Sequence, residues 1–365
     1  MWGPNAAGKT TLLEAIVLLA QGHSHRTAAD FELIRWGADY LRVEGVMAAE
    51  TGEVVESDGS VGVAEAAPRG AALELTLQAG GRKRIQVNGV PRRPAALTEY
   101  LRVVLFAPEE MLLVIGPPSL RRAALDGLTA PHDPHYASNV ATYTRALQQR
   151  NSLLRAIREG EADRDQMRLW DEPFLAAGSG IVAARLRLLE LLGGPLEAAH
   201  REIAPTEEGL TIRYSTNAPL LPGETPRDAL ARRLAETAEK EVWNGTTLVG
   251  PHRDDVAFLL GDREMAGNAS RGQQRSAILA LKLAELDLLA RLDGRPPLLL
   301  LDDVFSELDP ARRAHLVRRI AALPQAFVTT TTLDDLDPEL RAIGTAWHVQ
   351  TAGDGGAHVQ AGDAP

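Results

Sequence analysis

The chain contains no cysteine, which excludes disulfides, thiolate chemistry and cysteine-held zinc or iron–sulfur sites. No run approaches the about eighteen consecutive apolar residues of a membrane span, and no basic-then-apolar leader opens the chain, so neither a span nor export is expected and a cytoplasmic location is. Lysine is scarce: Lys9, Lys83, Lys240 and Lys282 are the whole complement, while arginine, alanine and glycine are abundant. That bias is first of all the mark of a GC-rich genome, so arginine clusters are weaker evidence of phosphate binding here than usual. Positive charge is lacking overall as well. The formal net charge of −10 argues against a globally basic nucleic-acid binder and confines any DNA contact to a local patch, a small interface or a partner. What is present is an ordinary globular composition, 45% hydrophobic and 24% charged over 365 residues, long enough for two or three packed units.

The first informative stretch is Gly3-Pro4-Asn5-Ala6-Ala7-Gly8-Lys9-Thr10, which fits the pattern G-x-x-x-x-G-K-[ST]. Its glycines let successive backbone N–H groups turn inward toward phosphate oxygens, Lys9 reaches the β- and γ-phosphates, and the Thr10 hydroxyl can ligate Mg²⁺. Thr11 to Leu19 read as a helix whose positive end faces the same anion. Such a loop normally hangs from a buried parallel strand, and only Met1 and Trp2 precede it here.

Downstream, Gly22-His23-Ser24-His25-Arg26-Thr27 can reach a phosphate through His25 and Arg26 or can be a solvated connection. Phe31 to Trp36 reads as a short helix-like segment. From Leu41 to Phe106 the apolar period falls to two, with Asn88-Gly89 as a hairpin turn and Gly52 to Gly70 as a loose hairpin tip. Arg82-Lys83-Arg84 and Arg92-Arg93 flank that turn as either a DNA-touching edge or a solvated strand face. Val103 to Phe106 reads as a buried strand. After the prolines at 117 and 118 a helical pattern begins near Ser119, taken as its N-cap, and Tyr136, Val140, Tyr143, Leu147 and Leu154 then recur at helical spacing, followed by Ile181, Ala184, Leu188 and Leu192. The charge run Glu159 to Asp165 reads as a solvated helix end or turn. A small strand is expected at Leu210 to Tyr214 and a loop at Asn217 to Pro226. Thr247-Leu248-Val249 reads as a strand end entering Gly250-Pro251-His252-Arg253-Asp254-Asp255, a polar corner that is either a solvated turn or the support of a positioned arginine.

Asn268-Ala269-Ser270-Arg271-Gly272-Gln273-Gln274-Arg275 precedes an amphipathic helix from Ser276 to Leu292 with Leu279, Leu283, Leu286 and Leu289 on one face. Serine, glycine and amides at a helix start form a second anion-binding end. Then Leu298 to Leu301 run into Asp302-Asp303, the pattern of a buried parallel strand with an acid at its C-terminal end. Asp302 can hold the Mg²⁺ that Thr10 ligates, and Asp303 can orient or deprotonate the attacking water. Ala326 to Thr331 and Trp347 to Gln350 read as further strands.

The order of these segments resembles the ABC-type ATPases: phosphate loop, signature Ser270-Arg271-Gly272-Gln273-Gln274, Walker B strand Leu298 to Asp303, and D-loop Ser306 to Asp309. The spellings Ala107-Pro108-Glu109-Glu110, Gln149-Arg150-Asn151, Gly250 to Asp255, Ser270 to Arg275 and Asp302 to Asp309 together resemble the RecF family of recombinational-repair ATPases, relatives of the SMC-type proteins, over essentially the whole chain. The resemblance implies an α/β fold, an ABC-type P-loop ATPase head with an antiparallel β region and an inserted helical lobe. Expected parts are the head's N-terminal portion over 1–118, the helical lobe over 119–240, the head's C-terminal portion over 241–350 and a disordered tail over 351–365. It implies ATP and Mg²⁺ as cofactors, and a head-to-tail homodimer in which Ser270, Arg271, Gly272 and Gln273 of one copy close over the nucleotide held by Gly3 to Thr11 of the other. Ser306 and Asp309 would flank that nucleotide. Lys9 and Asp303 would be catalytic, and Thr10 and Asp302 would hold the metal. The implied partners are double-stranded DNA and gap junctions, RecR and RecO, in loading recombinase at single-strand gaps. An ABC-type ATPase of another assembly, a transporter subunit or an antiphage or nuclease-associated enzyme, is the alternative. Three departures stand out. The family's strands upstream of the phosphate loop are missing, as would follow from a start codon placed too far downstream, and they predict an unanchored loop, weak ATP binding and poor solubility. Thr329-Thr330-Thr331 stand where ABC ATPases carry a switch histidine, and Asp303 where most carry glutamate, which together predict slow hydrolysis.

Overall fold

The structure is a computed structural model that describes residues 1–27, 29–48, 53–55, 61–63, 70–353 and 356–361. The chain forms two compact units, one made of Met1–Pro108 with Pro296–Pro365 and the other of Glu109–Arg295. The second unit therefore takes in residues 119–240 and also the stretch 241–295 that the sequence reading attached to the ATPase half.

The first unit is built on a parallel sheet. The acid strand Leu298–Asp302 lies between Val103–Phe106 and Ala326–Thr329, with Leu301 opposite both Phe106 and Val328. Its aliphatic run is continuous because both faces are covered: Leu299, Leu300 and Leu301 are all buried, and Leu300 packs with Leu13 and Val17 of the loop helix Lys9–Gln21. Met1 and Trp2 pair on both sides. Thr330 N donates to Met1 O at 3.1 Å, Trp2 N to Trp347 O at 2.8 Å and Val349 N to Trp2 O at 2.8 Å, so Trp2 bridges Thr330 and His348 in parallel register. The phosphate loop is thus anchored by a two-residue strand between Ala326–Thr329 and Trp347–Thr351. The Trp2 indole also stacks on His348 with ring centroids 4.0 Å apart.

Tyr40–Val46, Ala72–Gln78, Arg84–Val87 and Val90–Pro91 form the antiparallel sheet expected from the period-two pattern. Leu73, Leu75, Ile85 and Val87 face a core shared with Leu18 and Leu19, and the alternate residues face solvent. Asn88 and Gly89 both have positive φ, 50° and 76°, as a tight two-residue turn requires. Most of the expected hairpin tip Gly52 to Gly70 lies outside the described residues, apart from Glu53–Val55 paired with Val61–Val63. The disordered tail expected from Thr351 is corrected in part: Ala357–Ala361 pairs antiparallel with Trp347–Thr351, His358 opposite Gln350.

The second unit is mainly helical. Tyr136–Arg158 and Arg168–Ile203 pack on each other and on Pro226–Asn244, around Tyr136, Tyr143, Phe174, Ile181 and Leu230. Leu210–Ser215 pairs antiparallel with the corner strand Asp255–Leu260. The helix expected from Ser119 starts at Pro118, since proline fits the first turn where no N–H partner is needed, so Ser119 lies inside the helix and does not cap it. Thr247-Leu248-Val249 is not a strand. Its N–H groups are taken by side chains, Thr247 N by Asn151 Oδ1 at 2.7 Å and Leu248 N by Glu241 Oε1 at 2.7 Å, which replaces a ladder. No helix among the described residues is long and apolar enough to cross a membrane.

Candidate nucleotide site and the Gly250 corner

The phosphate loop has the backbone its sequence calls for. Gly3 has φ 153°, and a Cβ there would meet Val349 O at 2.2 Å; Gly8 has φ 102° and caps the loop helix. Ala6 is held in the left-handed region at φ 64°, a conformation that costs a non-glycine residue about 1 kcal/mol or more. Lys9 is buried and its Nζ donates to Gly3 O at 2.6 Å and Pro4 O at 2.9 Å, spanning the loop it belongs to. Burial lowers the Lys9 ammonium from its ordinary value, opposed by Asp303 and Asp302. A phosphate would give that ammonium stronger acceptors than two neutral carbonyls.

Beyond their shared apolar core, the loop helix and the acid strand are joined by a side-chain hydrogen bond. Thr10 Oγ1 donates to Asp302 Oδ2 at 2.8 Å, while Thr329 Oγ1 donates to Asp302 Oδ1 at 2.5 Å. A hydroxyl and a carboxylate set this close form the hard oxygen pair that suits Mg²⁺. Asp303 follows with φ 52°, a left-handed backbone that turns its side chain off the strand direction, and its N–H donates to Thr329 Oγ1 at 3.0 Å. Of the three threonines, Thr329 alone reaches the two acids: Thr330 Oγ1 donates to Thr332 O and Thr331 Oγ1 to Asp335. Ser306 Oγ donates to Asp303 O at 3.0 Å, and Asp309 caps the helix Pro310–Ala321 through Arg312 N at 3.0 Å. Lys9, Thr10, Asp302, Asp303, Ser306 and Asp309 thus belong to one unit.

Ser270, Arg271, Gly272 and Gln273 stand in the other. Ser270 caps the signature helix Arg271–Asp293 in a reciprocal box, its Oγ accepting from Gln273 N at 3.3 Å and Gln273 Oε1 accepting from Ser270 N at 2.9 Å. Ser270 and Arg271 are exposed. Gly272 sits in the first helical turn, where a Cβ would meet nothing closer than Ser270 Oγ at 3.9 Å. The fold of this chain therefore has no need of glycine there.

A family model described as an AAA domain matches residues 1–61. The chain is 41% identical over 364 residues to the DNA replication and repair protein RecF of Chloroflexus aurantiacus, covering 96% of this chain and 91% of that one, and 38% identical over 341 residues to that of Symbiobacterium thermophilum, covering 92% and 86%. It belongs to the RecF family. A solved structure of the recombination mediator protein RecF with ATP, from work on the RecFOR pathway, superposes with a TM-score of 0.83 at 30% identity, covering 99% of this chain and 90% of that one. An Smc head domain from Pyrococcus furiosus, at 15% identity and a TM-score of 0.51, shares the fold. This RecF-family chain is thus a DNA replication and repair ATPase of mixed α/β architecture with an SMC-like head.

The RecF-type run Gly250 to Asp255 is not a solvated turn. Asp254 is fully buried and accepts from the Tyr214 hydroxyl at 2.7 Å. Asp255 takes a two-pronged bond from Arg121, at 2.7 and 2.8 Å. His252 Nδ1 bonds the Tyr143 hydroxyl at 2.6 Å, and Pro251 O accepts from buried Arg185 at 2.9 Å. Gly250 has φ 125° and abuts Tyr143 and Phe174, where a Cβ would not fit. Arg150 and Asn151 support the same corner from behind, Arg150 through Glu241 at 2.9 Å and through Asp171, Asn151 through Thr247 N. Local sequence could not show this, because Tyr143, Arg185, Tyr214 and Glu241 come from four separate elements. In the hairpin Arg82, Arg84, Arg92 and Arg93 are exposed, while Lys83 pairs with Asp30 at 2.8 Å. His25 and Arg26 lie in a loop clipped to the loop helix, where Ser24 Oγ bonds Glu14 and Arg26 pairs with Glu14 at 3.4 Å.

Proposed function

We propose that this chain is an ATP-dependent dimerising DNA clamp of recombinational repair and replication-gap processing, a slow ATP hydrolase that acts with RecO and RecR to load recombinase at single-strand gaps. The observation that carries the dimer is the signature end. Ser270 is exposed at a self-capped helix start with room over the half-buried Gly272, and a glycine in that turn forgoes alanine's better helix propensity with no return inside the monomer. A γ-phosphate held by a second copy supplies the return: the free N–H groups of the first turn and the Ser270 hydroxyl are its donors.

In the other half-site the N–H groups from Gly3 to Thr11 and the Lys9 ammonium grip the phosphate chain. Thr10 and Asp302 would hold Mg²⁺, and Ser306 and Asp309 set the turn that follows Asp303. ATP with its metal supplies the electrophilic phosphoryl group. Asp303, one methylene shorter than glutamate and turned by its left-handed backbone, orients the attacking water, and Thr329 fixes both acids without offering a base. Both features favour slow turnover and a clamp that stays closed. The related structure of a RecF bound to ATP supports nucleotide binding at this site, and a DNA replication and repair role in the relatives supports DNA as the partner. The cytoplasm is the compartment this reading requires.

Sedimentation velocity with and without ATP·Mg²⁺, on the wild type and on Asp303→Asn to block turnover, tests the reading. A dimer that forms only with ATP and persists in the variant supports it. A chain that stays monomeric in ATP even as Asp303→Asn rules the clamp out.

A further inference from the structure

The Gly250 corner is an expensive construction. It buries Asp254, Arg150, Arg185 and Glu241 together, and taking such charges out of water costs more than a packed apolar corner of equal volume would. Burial also raises the carboxyl groups of Glu241 and Asp254 from their ordinary values, a sign that these acids are held against their preference. Networks of this kind are kept where they fix a position, and two side chains emerge from this one.

The first is Arg253. It is exposed, yet its Nε donates to Thr247 O at 2.9 Å, and its two terminal nitrogens make no hydrogen bond among the described residues. The second is Arg122 on the neighbouring helix Pro118–Thr129, which donates one nitrogen to Asp254 O at 2.8 Å and keeps the rest of its fork. Neither faces a carboxylate within the described residues, whereas Arg121, Arg150 and Arg185 beside them are each ion-paired. Asp255, Asp171, Glu241 and Asp126 are each ion-paired, whereas buried Asp254 takes the Tyr214 hydroxyl at 2.7 Å and no cation among the described residues. Arg253 and Arg122 both lie close enough to His252 to add to burial in lowering its proton affinity. The exposed hairpin arginines Arg82, Arg92 and Arg93 have no such tether among the described residues and would lose more side-chain freedom on ordering.

We infer that Arg253 and Arg122 form a pre-organised phosphate fork on the Gly250 corner, which grips the sugar-phosphate backbone of double-stranded DNA. Two planar guanidiniums fixed by backbone carbonyls match phosphodiester oxygens in geometry and charge, and contacts of this class carry affinity without base sequence. The assignment rests on the DNA-clamp reading above and adds the surface through which it acts.

The test is fluorescence anisotropy with a labelled DNA duplex, at saturating ATP and several KCl concentrations. The proteins are the wild type, Arg122→Ala/Arg253→Ala, Arg122→Lys/Arg253→Lys and the hairpin control Arg92→Ala/Arg93→Ala, each checked for an unchanged melting temperature. The alanine pair is expected to lose ten-fold or more in affinity, with a plot of log K against log salt shallower by about two for each protomer that touches the duplex, since each lost phosphate contact removes ~0.9 from the slope. The lysine pair should keep the slope and lose part of the affinity, and the hairpin control should change less than either. An alanine pair with wild-type affinity and slope overturns the assignment. So does an alanine pair that self-associates more weakly in ATP while the dimers that still form bind DNA normally, because the fork would then meet protein carboxylates. A wild type that binds no DNA overturns the clamp reading itself, and the assignment with it.

Discussion

His252 carries the clearest pH signature in the chain. It is pushed down to about 4, first by burial and then by Arg253, with Arg122 and Arg150 adding to the shift, so at neutral pH it is an uncharged imidazole bonded to Tyr143. In the unfolded chain it titrates near 6.5, and between the two values the unfolded state takes up a proton that the folded state refuses. Its contribution to stability is therefore intact above about pH 6.5 and is lost progressively as the pH falls toward 4, by up to about 3 kcal/mol. Glu241 and Asp254, both raised by burial, act in the opposite sense, regaining stability as the pH falls through their raised values. The informative quantity is thus a difference. Urea unfolding of the wild type and of His252→Gln across pH 4 to 7 should show the variant lacking the His252 portion of the acid loss, and identical pH profiles for the two would refute the buried-neutral assignment.

At the scale of an element, the signature helix Arg271–Asp293 is the least like its sequence pattern. Leucines at 279, 283, 286 and 289 predict one apolar face, yet every residue from Ser276 to Leu286 is buried, including Lys282. Its ammonium is opposed by burial but held above its ordinary value by Glu110 at 2.5 Å and Glu285 at 3.1 Å, while burial raises Glu285. Removing the cation leaves two carboxylates in an apolar setting. Lys282→Met should therefore cost about 3–5 kcal/mol in chemical denaturation, and combining it with Glu110→Gln and Glu285→Gln should restore most of that loss; a single variant as stable as the wild type would mean that the cluster is solvated. The same helix shows why some elements were legible and others were not. Helices 136–158 and 168–203, the hairpin at Asn88-Gly89 and the acid strand announce themselves through local period or turn chemistry. The Gly250 corner, the missing strand at Thr247 to Val249 and the strand Ala357–Ala361 depend on partners far away in sequence, and a charge run or a Gly- and Ala-rich tail reads locally as solvent-facing.

For the whole molecule, the order of the motifs is legible in the sequence, whereas their division between compact units is not, because adjacency in the chain says nothing about which core a segment joins. Lys9, Thr10, Asp302 and Asp303 fall in one unit and Ser270 to Gln273 in the other, and the clamp proposal makes them two halves of a shared site. If the halves are completed by a second copy, two defects in different halves must complement. Lys9→Ala cannot hold the phosphates, and Ser270→Arg cannot close over them, so each homodimer should be inactive. In an equimolar mixture half of the dimers are heterodimers, each with one composite site built from an intact loop and an intact signature, so ATPase activity should return to about a quarter of the wild-type level under random pairing. Steady-state phosphate release on the two variants, separately and mixed, measures this. A mixture as inactive as its components would show that each copy completes its own site, and the glycine at position 272 would then need another explanation.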